Sequence, residues 1–261
     1  MNRIERKFTE LRRGKKKAFI AFITAGYPDL KTTEKLLLEF DKVGVDIVEL
    51  GVPFSDPLAD GPMIQESSQK ALEKNTHLSQ IFALVKRARR QTDIPVCLMT
   101  YYNPVFCFGE EKFIQACVAC GVDGVIIPDL PPEESATINK LADQHKIDII
   151  RFISPTTSKE RIRRVAQSAR GFIYYVSLTG VTGSRTSLSA DLIDNLKAIR
   201  RLTKKPLCVG FGVSTAAQAR DINRFADGVI VGSAIVQKIK ENIHRTGLTQ
   251  TVSKFVLSLK G

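Results

Sequence analysis

The chain has 261 residues, 43% hydrophobic and 25% charged, which is ordinary for a soluble globular protein. Its 39 Lys and Arg outnumber 27 Asp and Glu, giving a formal charge of +12 and a pI near 9.6. No apolar run approaches the roughly 18 residues a membrane helix needs, and Met1-Asn2-Arg3-Ile4-Glu5-Arg6-Lys7 has no apolar signal core, so neither membrane insertion nor export is expected.

Taken in order, the chain alternates. Residues 1–13 are predicted to form a short amphipathic helix with Ile4, Phe8 and Leu11 on one face. Ala18-Phe19-Ile20-Ala21-Phe22-Ile23 is a fully apolar strand that stops at Thr24-Ala25-Gly26-Tyr27-Pro28. A helix follows from about Lys31 to Val43, striped by Leu36, Leu37 and Phe40, and Gly44-Val45-Asp46 then leads into a second strand at Ile47. The same punctuation returns at Gly121-Val122-Asp123 before 124–127 and at Ala226-Asp227-Gly228 before 229–231. Further strands are expected at 96–99, 149–153, 172–176 and 207–209. Helices are expected at 110–119, 132–145, 159–168, 188–200 and 215–223, with a packing helix at 248–259 carrying Val252, Phe255, Val256 and Leu259.

Continuous apolar strands separated by helical crossovers are the pattern of a parallel sheet covered on both faces. The economical closure is a single (β/α)8 TIM barrel with an extra N-terminal helix, read as one α/β domain over 1–261. An open doubly wound sheet is disfavoured, because no Gly-x-Gly-x-x-Gly follows the first strand.

Barrel chemistry sits at the carboxyl ends of the strands. There the second strand holds Glu49 within the apolar run Ile47, Val48, Leu50, Val52, and burying a carboxylate costs several kcal/mol unless it is hydrogen-bonded or neutralised. The strand breaks at once into a loop bearing Pro53, Asp56, Pro57, Asp60 and Gly61. Two carboxylates in different environments suit acid/base chemistry; the bland alternative is a core Glu paired with an Arg plus helix-capping aspartates. The other strand ends carry Phe22 to Thr24, Met99 to Tyr101, Asp129, Ser154, Tyr174 to Ser177, Gly210 to Gly212, and Gly232 with Ser233. None of the three His is among them and no Lys ends a strand, which disfavours Ser-His, His-metal and Schiff-base chemistry. No transition-metal set is apparent, and Asp129 with Glu49 makes only a weak case for Mg²⁺.

Gly210-Phe211-Gly212 and Gly232-Ser233 close the last two strands and open helices, the first capped by Ser214 or Thr215. Glycines allow close backbone approach and helix starts offer free N–H groups, so the pair predicts a phosphate site; tight turns alone would be the plain alternative. Ser177-Leu178-Thr179-Gly180-Val181-Thr182-Gly183-Ser184-Arg185-Thr186-Ser187 reads as a loop able to cover a ligand. Cys117-Val118-Ala119-Cys120 lies late in a helix and reads as a buried pair, and five cysteines without framework spacing suit a reducing cytosol. The basic clusters Arg12-Arg13-Gly14-Lys15-Lys16-Lys17, Lys86-Arg87-Ala88-Arg89-Arg90, Arg161-Ile162-Arg163-Arg164 and Arg200-Arg201-Leu202-Thr203-Lys204-Lys205 are scattered between strands with no recognition motif and no Trp. They read as a solvated surface that helps attract anionic substrates, with no nucleic-acid partner expected.

Val48-Glu49-Leu50-Gly51-x-x-Phe54-Ser55-Asp56-Pro57-Leu58-Ala59-Asp60-Gly61 closely resembles the signature of the tryptophan synthase α subunit family. The resemblance extends through Phe22-Ile23-Thr24-Ala25-Gly26-Tyr27-Pro28, Tyr101-Tyr102-Asn103-Pro104, Pro128-Asp129-Leu130-Pro131, Gly180-Val181-Thr182-Gly183, Gly210-Phe211-Gly212 and Gly232-Ser233-Ala234. It implies a barrel that cleaves indole-3-glycerol phosphate to indole and glyceraldehyde 3-phosphate. It implies Glu49 as the proton shuttle and Asp60 as acceptor of the indole N–H. Phe22 and Phe211 resemble the residues sandwiching indole, Tyr174 a tyrosine at the site, and Gly183, Gly212, Gly232 and Ser233 the phosphate cradle. Thr182 resembles the loop threonine that meets the Asp60 carboxylate, and Leu178 stands where some relatives carry Arg. Asp56, Asn103 and Pro104 match segments facing a β subunit, so the resemblance implies a cytoplasmic α₂β₂ tetramer in which pyridoxal phosphate belongs to β alone and the α chain needs no cofactor. Two other readings stand beside it: a catalytically weak activator of β, disfavoured by the intact carboxylates, and a different phosphate-binding barrel enzyme.

Overall fold

A computed structural model describes residues 1–176, 190–210 and 212–260. Helix α1 (Arg3–Arg13) precedes β1 (Ala18–Thr24), α2 (Leu30–Lys42) and β2 (Ile47–Gly51). Two helices, α3 (Pro62–Leu72) and α4 (Leu78–Ala88), lead to β3 (Val96–Met99), and α5 (Tyr102–Phe108) and α6 (Glu110–Cys120) lead to β4 (Gly124–Ile126). A 3₁₀ turn at Pro132–Glu134 and α7 (Ala136–His145) precede β5 (Asp148–Ile153), α8 (Lys159–Ser168) and β6 (Ile173–Val176). The chain ends with α9 (Ala190–Leu202), β7 (Leu207–Gly210), α10 (Ala216–Asn223), β8 (Gly228–Val231), α11 (Ser233–Lys240) and α12 (Leu248–Lys260). The strands pair in chain order and β8 closes on β1, so the expected eight-stranded barrel with its N-terminal helix is the fold observed.

Sequence and structure differ in detail at three places. The helix expected over 132–145 is split at Ser135: Pro132–Glu134 form a 3₁₀ turn, and the Ser135 hydroxyl donates back to the Pro132 carbonyl at 3.0 Å, a local bond that competes with helix continuation. The helices α3, α4 and α5 went unpredicted. The helix expected over 188–200 runs from Ala190 to Leu202, with 188 and 189 outside the described residues. Cys117 and Cys120 are buried on α6 as expected, and both thiols are free. Among the described residues no helix is long and apolar enough to cross a membrane.

Two apolar layers organise the barrel. Outward-facing strand residues such as Ala21, Val48, Leu50, Leu98 and Val209 pack under the helices. Inward-facing Ile20, Ile47, Cys97, Ile126, Ile150, Cys208 and Ile230 fill the barrel, and Ile4, Phe8 and Leu11 of α1 join the same cluster. Helix α1 therefore plugs the amino end of the barrel, with the Phe8 and Phe172 rings 5.8 Å apart. A capping box holds its start: Asn2 accepts from the Glu5 N–H at 3.0 Å, and Glu5 accepts from the Asn2 N–H at 3.3 Å.

Aspartates lock the strand starts. Asp46, Asp123 and Asp227 precede β2, β4 and β8, and their carboxylates accept the Phe19, Val96 and Leu207 N–H groups at 2.9, 2.9 and 2.8 Å. Each bond spans two neighbouring strands and so fixes their register, where a one-residue slip would turn every side chain to the wrong face. Asp123 also binds Arg89 at 2.9 Å and Arg3 of α1 at 3.1 Å. Asp123→Ala leaves the largely buried Arg89 without its carboxylate and the Val96 N–H without its acceptor, and should cost about 3–5 kcal/mol in urea unfolding. Arg3→Ala, at a side chain 31% exposed, should cost about 1 kcal/mol; equal losses would show that Asp123 is not the hub of this cluster.

Candidate active site

Glu49 on β2 is in register with Phe22 of β1 and Cys97 of β3. It shares the inward face with Ile47, and its side chain is fully buried. Among the described residues neither carboxylate oxygen has a hydrogen-bond partner. Desolvation, with the Asp60 carboxylate as a second cause, pushes its pKa up to about 8.

Asp60 lies in the loop between β2 and α3, half-buried. Burial raises its pKa to about 6, opposed by a hydrogen bond from the Tyr101 hydroxyl. That hydroxyl also accepts the Ala59 N–H at 3.0 Å, from 42 positions away in the chain. The Tyr101 ring stacks on Phe54 with centroids 5.3 Å apart, and Phe54 is tied to α3 through its N–H to Ser68 Oγ at 2.8 Å. Gln65 donates to the Asp60 carbonyl at 2.9 Å. The loop that carries the second carboxylate is thus fastened at both ends. Sequence places Tyr101 at a strand end, and nothing local in the sequence ties it to Asp60.

The mouth is hollowed by absent side chains. A Cβ on Gly51 would lie 2.6 Å from Phe22 Cζ, and one on Gly232 would lie 3.3 Å from Phe22 Cδ1. A Cβ on Gly210 would lie 2.6 Å from the Tyr174 hydroxyl. The glycines at these inward positions therefore make room for the Phe22 and Tyr174 rings beside Glu49. Tyr174 packs on Phe152 with centroids 4.8 Å apart. Burial first, then the Glu49 and Asp60 carboxylates, hold its hydroxyl pKa well above the usual value.

The two glycine-bearing helix starts differ. At α10 the cap is Thr215, and the Gln218 side chain accepts both the Ser214 N–H at 2.9 Å and the Thr215 N–H at 3.2 Å. At α11 no side chain among the described residues caps the start at Gly232 and Ser233, leaving its first N–H groups for an anion. Gly212, exposed at φ +58°, contributes an open backbone beside it.

Phe22, Glu49, Asp60, Tyr174, Gly212, Gly232 and Ser233 thus gather at the carboxyl mouth, while Asp56 and Asn103 are exposed and Pro104 half-buried on its rim. Thr182, Gly183 and Phe211, with Leu178 and the rest of 177–189, lie outside the described residues. Among the described residues no three His, Cys, Asp or Glu side chains gather as metal ligands would.

The profile of the family "Tryptophan synthase alpha chain" matches residues 8–259. The tryptophan synthase alpha chain of Geotalea uraniireducens is 51% identical over 260 residues, covering 100% of this chain and 97% of its own. That of Geotalea daltonii is 51% identical over 92% of this chain and 91% of its own. Among solved structures, tryptophan synthase subunit alpha from Legionella pneumophila superposes with a TM-score of 0.93 at 37% identity, covering 100% of this chain and 97% of that one. A chain of the tryptophan synthase complex from Pyrococcus furiosus superposes with a TM-score of 0.85 at 35% identity, over 94% and 98%.

Holding Glu49 dry costs stability, with a definite pH dependence. Unfolded, the carboxyl ionises near its ordinary value of 4.5; folded, it stays protonated up to about 8. The folded state binds the extra proton between those values, so stability falls as pH rises through that window and levels off above it. Glu49→Gln should be close to wild type in stability near pH 4 and more stable by several kcal/mol at pH 9. Denaturant midpoints measured across this range check it, and parallel curves for the two proteins would refute the assigned ionisation.

Proposed function

Because the chain belongs to the tryptophan synthase alpha chain family, we propose that Glu49 and Asp60 divide the proton chemistry of its reaction between them. The chain is a lyase that cleaves indole-3-glycerol phosphate to indole and glyceraldehyde 3-phosphate in tryptophan biosynthesis. The observation that carries the proposal is the buried, unpartnered Glu49 carboxyl with its pKa near 8, beside an Asp60 near 6. At neutral pH the first holds a proton and the second has lost one.

Protonated Glu49 gives its proton to indole C3, turning the ring into an electron-accepting indolenine cation. Ionised Asp60 accepts the N1–H hydrogen bond and stabilises that positive charge. The Glu49 carboxylate then takes the proton of the adjacent glycerol hydroxyl. The C3–carbon bond breaks as the carbonyl forms, its electron pair neutralises the ring, and Glu49 ends protonated as it began. Water excluded from the barrel keeps the first proton on Glu49 until C3 is in place.

Phe22 would cover one face of the indole and Phe211 the other, with Tyr174 closing the side. The uncapped α11 start at Gly232 and Ser233, with Gly212 and Gly183, would hold the phosphate. Thr182 would meet Asp60 as the 177–187 loop covers the ligand. Asp56, Asn103 and Pro104 belong to a rim that also exposes Leu58 at 94% and Phe106 at 66%. Apolar side chains so exposed suit a protein partner, and we assign this rim to a β subunit in an α₂β₂ tetramer. The cofactor-free α chain, its single domain over 1–261 and its cytoplasmic location belong to the same reading.

Indole release from indole-3-glycerol phosphate, with and without a compatible β subunit, tests the assignment. Glu49→Gln should lower kcat by about 10²–10⁴-fold with the fold intact. Gly232→Asp should instead raise KM, by placing negative charge and bulk against the phosphate. Full activity in Glu49→Gln would sink the shuttle; no release from folded wild type under either condition would leave the chain as an activator of β.

A further inference from the structure

We propose that a cleft at the amino end of the barrel, remote from Glu49, binds a compact oligophosphate, free or carried on a nucleoside. Helix α1, the second half of α8 and the α9–β7 connection wall a cleft of about 940 Å³. Arg12, Arg163, Arg201, Lys204 and Lys205 line it against one carboxylate, Glu5, and that carboxylate belongs to the Asn2 capping box. Arg163 approaches Glu160 only at 3.9 Å, and among the described residues the other four cations are in no ion pair. These side chains come from three of the basic clusters that look scattered in sequence, and the fold brings them to one concavity.

Helix dipoles explain part of this. Arg12 and Arg201 sit in the last turns of α1 and α9, where a cation is favoured. Arg163 lies mid-helix, and Lys204 and Lys205 lie beyond α9, where no such benefit reaches. Like charges around a concave wall repel one another and focus a positive field, a cost that a bound polyanion removes. The Arg forks match phosphate oxygens in pairs. Ala166, Leu202 and Pro206 supply an apolar wall.

The shape selects a small ligand over a nucleic-acid strand. The volume falls at the upper end of the roughly 300–1,000 Å³ usual for small-molecule sites. A single strand would want a through-running groove with exposed aromatic platforms, and the aromatic residue lining this cleft, Phe8, is buried. The cleft lies at the opposite end of the barrel from the Leu58 and Phe106 rim, so a partner on that rim leaves it open.

Calorimetric titration of the full chain with inorganic tripolyphosphate and with ATP, at about 0.15 M salt, tests the proposal. Wild type should bind one equivalent, more weakly as salt rises. The triple variant Arg163→Gln, Arg201→Gln, Lys204→Gln should bind about tenfold or more weakly. A control triple at exposed lysines elsewhere, Lys31→Gln, Lys86→Gln, Lys140→Gln, should bind as wild type does, and so should Gly232→Asp. Equal affinity for the two probes assigns the site to phosphates alone; tighter ATP extends it to the nucleoside. Four results overturn the proposal: no binding by wild type, equal weakening in both triples, loss in Gly232→Asp, or a single-stranded oligonucleotide outcompeting both probes.

Discussion

A carboxyl group kept out of water, with no hydrogen-bond partner among the described residues, is the constraint around which this barrel is arranged. Glu49 can occupy its strand because the barrel around it is dry: α1 fills one end, and inward isoleucines and cysteines fill the middle. The glycines opposite it leave space that rings, rather than solvent, occupy. Asp60 stands in a different medium, half-buried on a loop and bonded by Tyr101. Two carboxyl groups in two environments take two protonation states at one pH, which a proton shuttle and a charge stabiliser require.

The same molecule shows what a structural carboxylate looks like. Asp46, Asp123 and Asp227 are each met by a neighbouring strand's N–H. Asp123 has two arginines in addition and Asp227 has Arg200. Those groups satisfy one another and hold register. Glu49 has no such partners among the described residues, and the contrast within one sheet distinguishes a group kept for its chemistry from groups kept for the fold.

The barrel strands were legible because each is a continuous apolar run, a pattern little else in a chain of this size produces. Helix α3 was not, because the face it buries carries Ser67, Ser68 and Ala71 rather than an apolar stripe. Its hydroxyls are spent on Thr24, at 2.6 Å, and on the Phe54 backbone, contacts that exist only once the barrel closes. Helix α5 spans seven residues, too few to display a period. Glu49 and Asp60 could be picked out from a strand-embedded acid and an acid-bearing loop. The clasp from Tyr101 to that loop joins segments far apart in the chain, and so do the basic side chains of the amino-end cleft. What sequence conceals here is convergence; what it reveals is periodicity.

The plug formed by α1 also constrains the order in which the molecule can assemble. Arg3 reaches Asp123 across 120 positions, and Phe8 waits for Phe172 on the approach to β6. As the chain emerges in synthesis, this segment is made long before the floor it will seal. Its capping box and the basic residues of its last turn, Arg12 and Arg13, bias it toward helix, and its apolar face needs the barrel floor to hold it there. The closing pair of strands lies farther apart still, Ala18 against Gly228, so the barrel cannot be complete before β8 is made. Until then the sheet keeps open edges and uncovered inward isoleucines such as Ile20, Ile47 and Ile126, surface that promotes aggregation while it is exposed.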